Sequence, residues 1–65
     1  MADPEELRRL RHDLSNPLAA LLAETQLLLL SADTLDDETV TGLREIEKLA
    51  IRMRTILRDS LPDPH

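Results

Sequence analysis

Leucine recurs through the first half of the chain at three- and four-residue steps: Leu7, Leu10, Leu14, Leu18 and Leu21, then Thr25 and Leu28. Residues three and four apart lie above one another on a helix, so this spacing traces one helical face, apolar except at Thr25. Asp3-Pro4-Glu5-Glu6 marks its start. Asp3 suits the capping position, Pro4 the first helical position, and the two glutamates the positive end of the helix dipole. The pattern predicts a helix over residues 4–30, with its apolar face centred near Leu14 and Leu21. Pro17 falls inside it, supplies no backbone donor and crowds the carbonyl of Asp13. Either the helix breaks there or it bends and continues. The leucines keep their phase across Pro17, which favours a bent, continuous helix.

Residues 31–36 carry no such period and predict a short connection. Thr34 or Asp36 can cap a second helix, and Asp36, Asp37 and Glu38 load its first turn with negative charge. Val40, Leu43, Ile46, Leu49, Ala50, Met53, Ile56 and Leu57 then form a broad apolar stripe, predicting a helix over residues 37–60. Arg52, Arg54 and Arg58 sit near its negative end. Gly42 costs that helix about 1 kcal/mol relative to alanine, for no reason visible in the sequence. Residues 1–61 thus form one domain, and Pro62-Asp63-Pro64-His65 reads as a tail or linker.

Composition narrows the architecture. The 65 residues include no cysteine and no aromatic side chain. No disulfide can staple the fold, and the core must be Leu, Ile, Val, Met and Ala, which suits helix on helix. The expected class is all-α, an antiparallel two-helix hairpin. A chain this short buries too little apolar surface alone. Two hairpins around a two-fold axis would cover all four stripes, so a homodimeric four-helix bundle is predicted. The net charge of −5 argues against nucleic-acid binding. Missing aromatics also remove any base-stacking platform. Leu27-Leu28-Leu29-Leu30 is the longest apolar run, far short of a membrane span, and the acidic N-terminus is unlike a signal peptide. A soluble cytoplasmic protein is expected. Glu5, Glu6, Asp33, Asp36 and Asp37 lack calcium-loop spacing, and His12 with Asp13 is too small a set for zinc, so no metal site is expected.

The segment His12-Asp13-Leu14-Ser15-Asn16-Pro17-Leu18 stands apart from this plain amphipathic pattern. At about 100° per residue, His12 lies nearly opposite Leu14 and Leu21 and faces solvent. Asn16 follows one turn on, Asp13 stands at the flank, and Ala19 and Ala23 continue the exposed strip. A lone exposed histidine is usually just a solvated side chain. Here, however, a carboxylate beside it can take its proton or orient its tautomer, and an amide one turn away can hold a water or a phosphoryl oxygen. Arg8, Arg9 and Arg11 flank it and can attract phosphate, although an ordinary solvated face with Glu5 paired to Arg9 is the simpler expectation. Arg44, Lys48 and Arg52 likewise read as a solvated ridge.

The seven residues closely resemble the H-box of sensor histidine kinases, which lies on the first helix of their dimerisation and histidine-phosphotransfer domain, a helical hairpin that dimerises into a four-helix bundle. The architectural likeness spans nearly the whole chain, while its specificity rests on the seven residues. The resemblance implies that His12 accepts a phosphoryl group from ATP and passes it to an aspartate of a response-regulator receiver domain. It implies that Asp13 is the general base, that Asn16 positions water for phosphatase action, and that Pro17 sets a kink. It also implies that Ala19, Ala20 and Ala23 lie on the receiver-docking surface. With one glycine, Gly42, the chain cannot build that family's glycine-rich nucleotide site, so ATP and Mg2+ are expected on a partner catalytic domain. That domain would belong to the same longer protein or to another chain. The alternative is a dimeric helical interaction module whose H-box is degenerate. A monomeric phosphotransfer protein fits less well, because that family usually has Lys and Gly after its histidine and needs four helices in one chain.

Overall fold

A computed structural model describes residues 3–60. The 62–65 tail lies outside the described residues. Two helices, α1 (Pro4–Leu29) and α2 (Asp37–Ser60), are joined through a 3-10 turn at Ala32–Thr34. They pack against each other as an antiparallel hairpin, a rod of 47 × 16 × 14 Å. No strand occurs among the described residues.

Local chemistry fixes the helix ends. The Asp3 carboxylate accepts the Glu6 amide hydrogen at 2.9 Å, satisfying one of the donors a helix start leaves over, and Pro4 occupies the first turn. α1 then runs unbroken through Pro17. At the other end the Leu30 amide donates to the carbonyls of Gln26 and Leu27, tightening the last turn. Within the connection the Thr34 hydroxyl donates to the Ser31 carbonyl, so Thr34 is spent on the turn. Asp36 is the cap of α2, its carboxylate accepting the Thr39 amide hydrogen at 2.6 Å.

The Asp36 carboxyl is held below its ordinary range by hydrogen bonding at Thr39. The charged form is the one the fold binds, so this contribution is complete above the unfolded carboxyl range near pH 4 and disappears as pH falls through the lowered folded value. Acidification from pH 5 to below about pH 3 is therefore expected to fray the first turn of α2. Faster amide exchange at Thr39 than at mid-helix amides would register it, and Asp36→Asn should flatten that dependence.

The hairpin core is not where the centre of the leucine pattern points. The buried residues are Leu18, Leu22 and Thr25 on α1 and Ala50 on α2, with Leu57 packed against them. Thr25 is accommodated because its hydroxyl donates to the Leu21 carbonyl at 2.7 Å. Leu14 and Leu21, the expected centre, are 44% and 60% exposed. The physical reason is the width of the stripe. One helix of α2's diameter covers the line through Leu18, Leu22 and Thr25. It leaves the neighbouring line through Leu10, Leu14, Leu21 and Leu28 open. On α2, Ala50 is buried and Val40, Leu43 and Leu57 are half-buried, while Ile46, Leu49, Met53 and Ile56 remain exposed. An apolar trough of about 140 Å³, lined by Leu14, Met53, Ile56 and Leu57, marks where the two open lines meet.

Gly42 lies in α2 with an ordinary helical backbone, and a Cβ added there meets nothing within 4 Å. Within the hairpin the glycine has no steric cause. Gly42→Ala is expected to stabilise the helix by about 1 kcal/mol, measurable as a rise in Tm.

Candidate functional site

The surface strip on α1 that carries the polar residues points away from the core. His12, Asp13 and Asn16 are all exposed, as are Pro17, Ala19, Ala20 and Ala23. The cause is the helical period: the apolar lines claim one side of α1, and residues at about 100° steps fall opposite. His12 and Asn16 are one turn apart, a rise of about 6 Å. Helical side chains as a class lean toward the N-terminus, so an amide at position 16 can reach the turn that carries His12.

The His12 Nδ1 atom lies 3.7 Å from the Asp13 carboxylate, with the two side chains 74% and 65% exposed. This is ion-pair distance, too long for a hydrogen bond. At such exposure the pair adds little to stability. Its significance is chemical. A carboxylate on the Nδ1 side favours the proton there and leaves Nε2, the outer ring atom, as the lone-pair donor. Pro17 has no N–H to give the Asp13 carbonyl, so a backbone acceptor at the foot of the same residue lacks its usual helical donor. Below Asn16, Ala19 and Ala23 give a low surface over which another backbone can approach closely.

Other expectations change. No ion pair joins Glu5 and Arg9 among the described residues, so the simplest account of Arg9 as half of a surface pair does not hold. Lys48 pairs instead with Glu45, at 3.6 Å. Arg58 turns to its neighbour Asp59 at 3.1 Å. Two residues that the sequence marked only as part of an apolar run extend the His12 strip toward the loop. Leu27 and Leu30 are 57% and 80% exposed. The signal was present, since four successive leucines step right around a helix and some must face away from any core. No three His, Cys, Asp or Glu side chains converge on a metal-sized site among the described residues, and none of the helices is long and apolar enough to cross a membrane.

The chain matches no known protein family, no curated protein and no solved structure.

Proposed function

We propose that this chain is the phosphoacceptor and dimerisation domain of a two-component histidine kinase. In this role it takes a phosphoryl group on His12 from ATP held by a separate catalytic domain and passes it to an aspartate of a response-regulator receiver. The observation that carries the proposal is the placement of the H-box-like segment. His12 stands exposed on the outer strip of a helical hairpin, Asp13 lies 3.7 Å from its Nδ1, and Asn16 follows one turn on.

The chemistry is a displacement at phosphorus. The Nε2 lone pair attacks the γ-phosphorus, the bond to the β–γ bridging oxygen breaks, and ADP leaves. The ring becomes an imidazolium, whose Nδ1 proton Asp13 holds or accepts. In a separate hydrolytic step, Asn16 would orient a water for attack on the phosphorus of a phosphorylated receiver, the bond to the aspartate oxygen breaking to release the carboxylate and inorganic phosphate. Ala19, Ala20 and Ala23 would give that receiver a close seat. The second apolar face, Leu10, Leu14, Leu21 and Leu28 with Ile46, Leu49, Met53 and Ile56, supports a dimeric four-helix bundle, because these exposed lines need a partner and a second copy offers the same lines.

Incubation with ATP and purified histidine-kinase catalytic domains, and separately with phosphorylated receivers, tests this directly. Mass-spectrometric mapping should place the phosphoryl group on His12 and not on His65. A folded dimer that acquires no label at His12 with any partner would instead be an interaction module.

A further inference from the structure

We propose that Arg9 is the residue that holds the phosphoryl group of His12, an inference that rests on His12 being the phosphoacceptor. Three observations lead to it. First, residues three and four before His12, Arg9 and Arg8, are its neighbours on the helix surface, on the side toward which helical side chains as a class lean. With Nδ1 on the Asp13 side, Nε2 is the ring atom left to meet them. Second, Arg9 is exposed and makes no ion pair or hydrogen bond among the described residues, whereas Arg8 and Arg11 have contacts of their own. Glu5, the acid one turn above Arg9, does not engage it. An arginine with an acid at the favourable spacing, yet unpaired, keeps its guanidinium for another anion. Third, the charge is unevenly placed. Six of the eight Lys and Arg residues, Arg8, Arg9, Arg11, Arg52, Arg54 and Arg58, lie at the His12 end of the antiparallel rod. Asp33, Asp36, Asp37 and Glu38 crowd the loop end. Set against Asp3, Glu5, Glu6, Asp13 and Asp59 at the same end, these arginines leave it one net positive charge among the described residues, so an anion arriving at His12 escapes the repulsion of the loop end in a chain whose net charge is −5.

A guanidinium suits this task. Its fork of N–H donors meets two phosphoryl oxygens at once, and it holds its charge at any physiological pH. Beside His12 it would offset the charge on the phosphoryl oxygens as the Nε2–P bond forms, and afterwards keep the group oriented for the next acceptor. Asp13 on one side of the ring and Arg9 on the other would stabilise the two charges of phosphohistidine separately: carboxylate against imidazolium, guanidinium against phosphoryl.

The test needs no partner protein. Phosphoramidate phosphorylates histidine directly: the Nε2 lone pair attacks phosphorus, the P–N bond breaks, and ammonia leaves with that electron pair. The full chain, Arg9→Gln, Arg9→Lys and a distant charge control, Arg44→Gln, are followed by 31P NMR, with helicity checked by circular dichroism. Arg9→Gln is expected to slow phosphorylation of His12 by about tenfold, with Arg9→Lys recovering part of the loss and Arg44→Gln leaving the rate within about twofold. The Arg9→Gln defect should also shrink as salt screens the wild-type advantage. Equal rates for wild type and Arg9→Gln, or an equal loss in Arg44→Gln, overturn the role of Arg9 while leaving His12 as acceptor. Absence of phosphohistidine at position 12 in the unaltered chain overturns both.

Discussion

Leu21→Glu is expected to convert the proposed dimer to a largely unfolded monomer at micromolar concentration, whereas Leu27→Glu leaves both self-association and stability nearly unchanged. The two leucines have similar exposure in the hairpin, 60% and 57%. They differ in which side of α1 they occupy. Leu21 belongs to the open apolar line beside the core, continuous with Leu14 and with Met53 and Ile56 across the trough. Leu27 belongs to the His12 strip, outside the hairpin core and outside the face proposed for a second copy. The large effect follows from how little the single hairpin buries. Its buried set is Leu18, Leu22, Thr25 and Ala50, too small a core to hold two helices by itself. Each half-exposed leucine, isoleucine or methionine covered by a second copy would contribute on the order of 1 kcal/mol, and eight such side chains line the open face. A glutamate at position 21 would have to be buried charged and unpaired, or keep the copies apart. Analytical ultracentrifugation with thermal melts over a hundredfold range of concentration checks this. Wild-type melting should rise with concentration. Equal effects of the two substitutions, or a concentration-independent melt in a stable monomer, would rule out the dimeric bundle.

The same contrast explains what was legible in the chain and what was not. Helix number and the antiparallel pairing followed from period, caps and a short connection, because each of these is a local property. Asp3 and Pro4 behave as their types dictate. The choice between Thr34 and Asp36 was not decidable locally, since both have an oxygen that can accept. It was settled by the 3-10 turn, which uses the Thr34 hydroxyl on Ser31. The position of the core was also out of reach. A stripe wide enough for two partners does not say which line the first partner takes, and the leucine pattern averages to Leu14 and Leu21 although Leu18 and Leu22 are the ones buried. At the candidate site, the exposure of His12, Asp13 and Asn16 followed from helical phase alone. That Arg9 stands unpaired despite Glu5 one turn away did not, because i,i+4 spacing permits a surface pair without requiring one.

His12→Ala and Asn16→Ala are expected to separate the two activities proposed for one strip. His12→Ala should lose phosphoryl acceptance completely, since no other side chain there offers a neutral nitrogen nucleophile, while its melting temperature stays within a degree or two of wild type. The side chain is 74% exposed and its link to Asp13 is a 3.7 Å surface pair, so little folding energy depends on it. Asn16→Ala should leave transfer from phosphohistidine to a receiver within about threefold, because Nε2 and the incoming aspartate need no amide to react. It should slow dephosphorylation of the receiver by about tenfold or more, because hydrolysis requires a water held in line by a group that both donates and accepts. Asn16 has that pairing, lies one turn from His12 and is exposed, and nothing in the hairpin core rests on it. The two variants run side by side against one labelled receiver give a fourfold outcome table in a single gel. Loss of both activities in Asn16→Ala would mean that the amide supports the strip's shape and has no role in placing water. Retention of label in His12→Ala would place the acceptor elsewhere and remove the histidine from the mechanism.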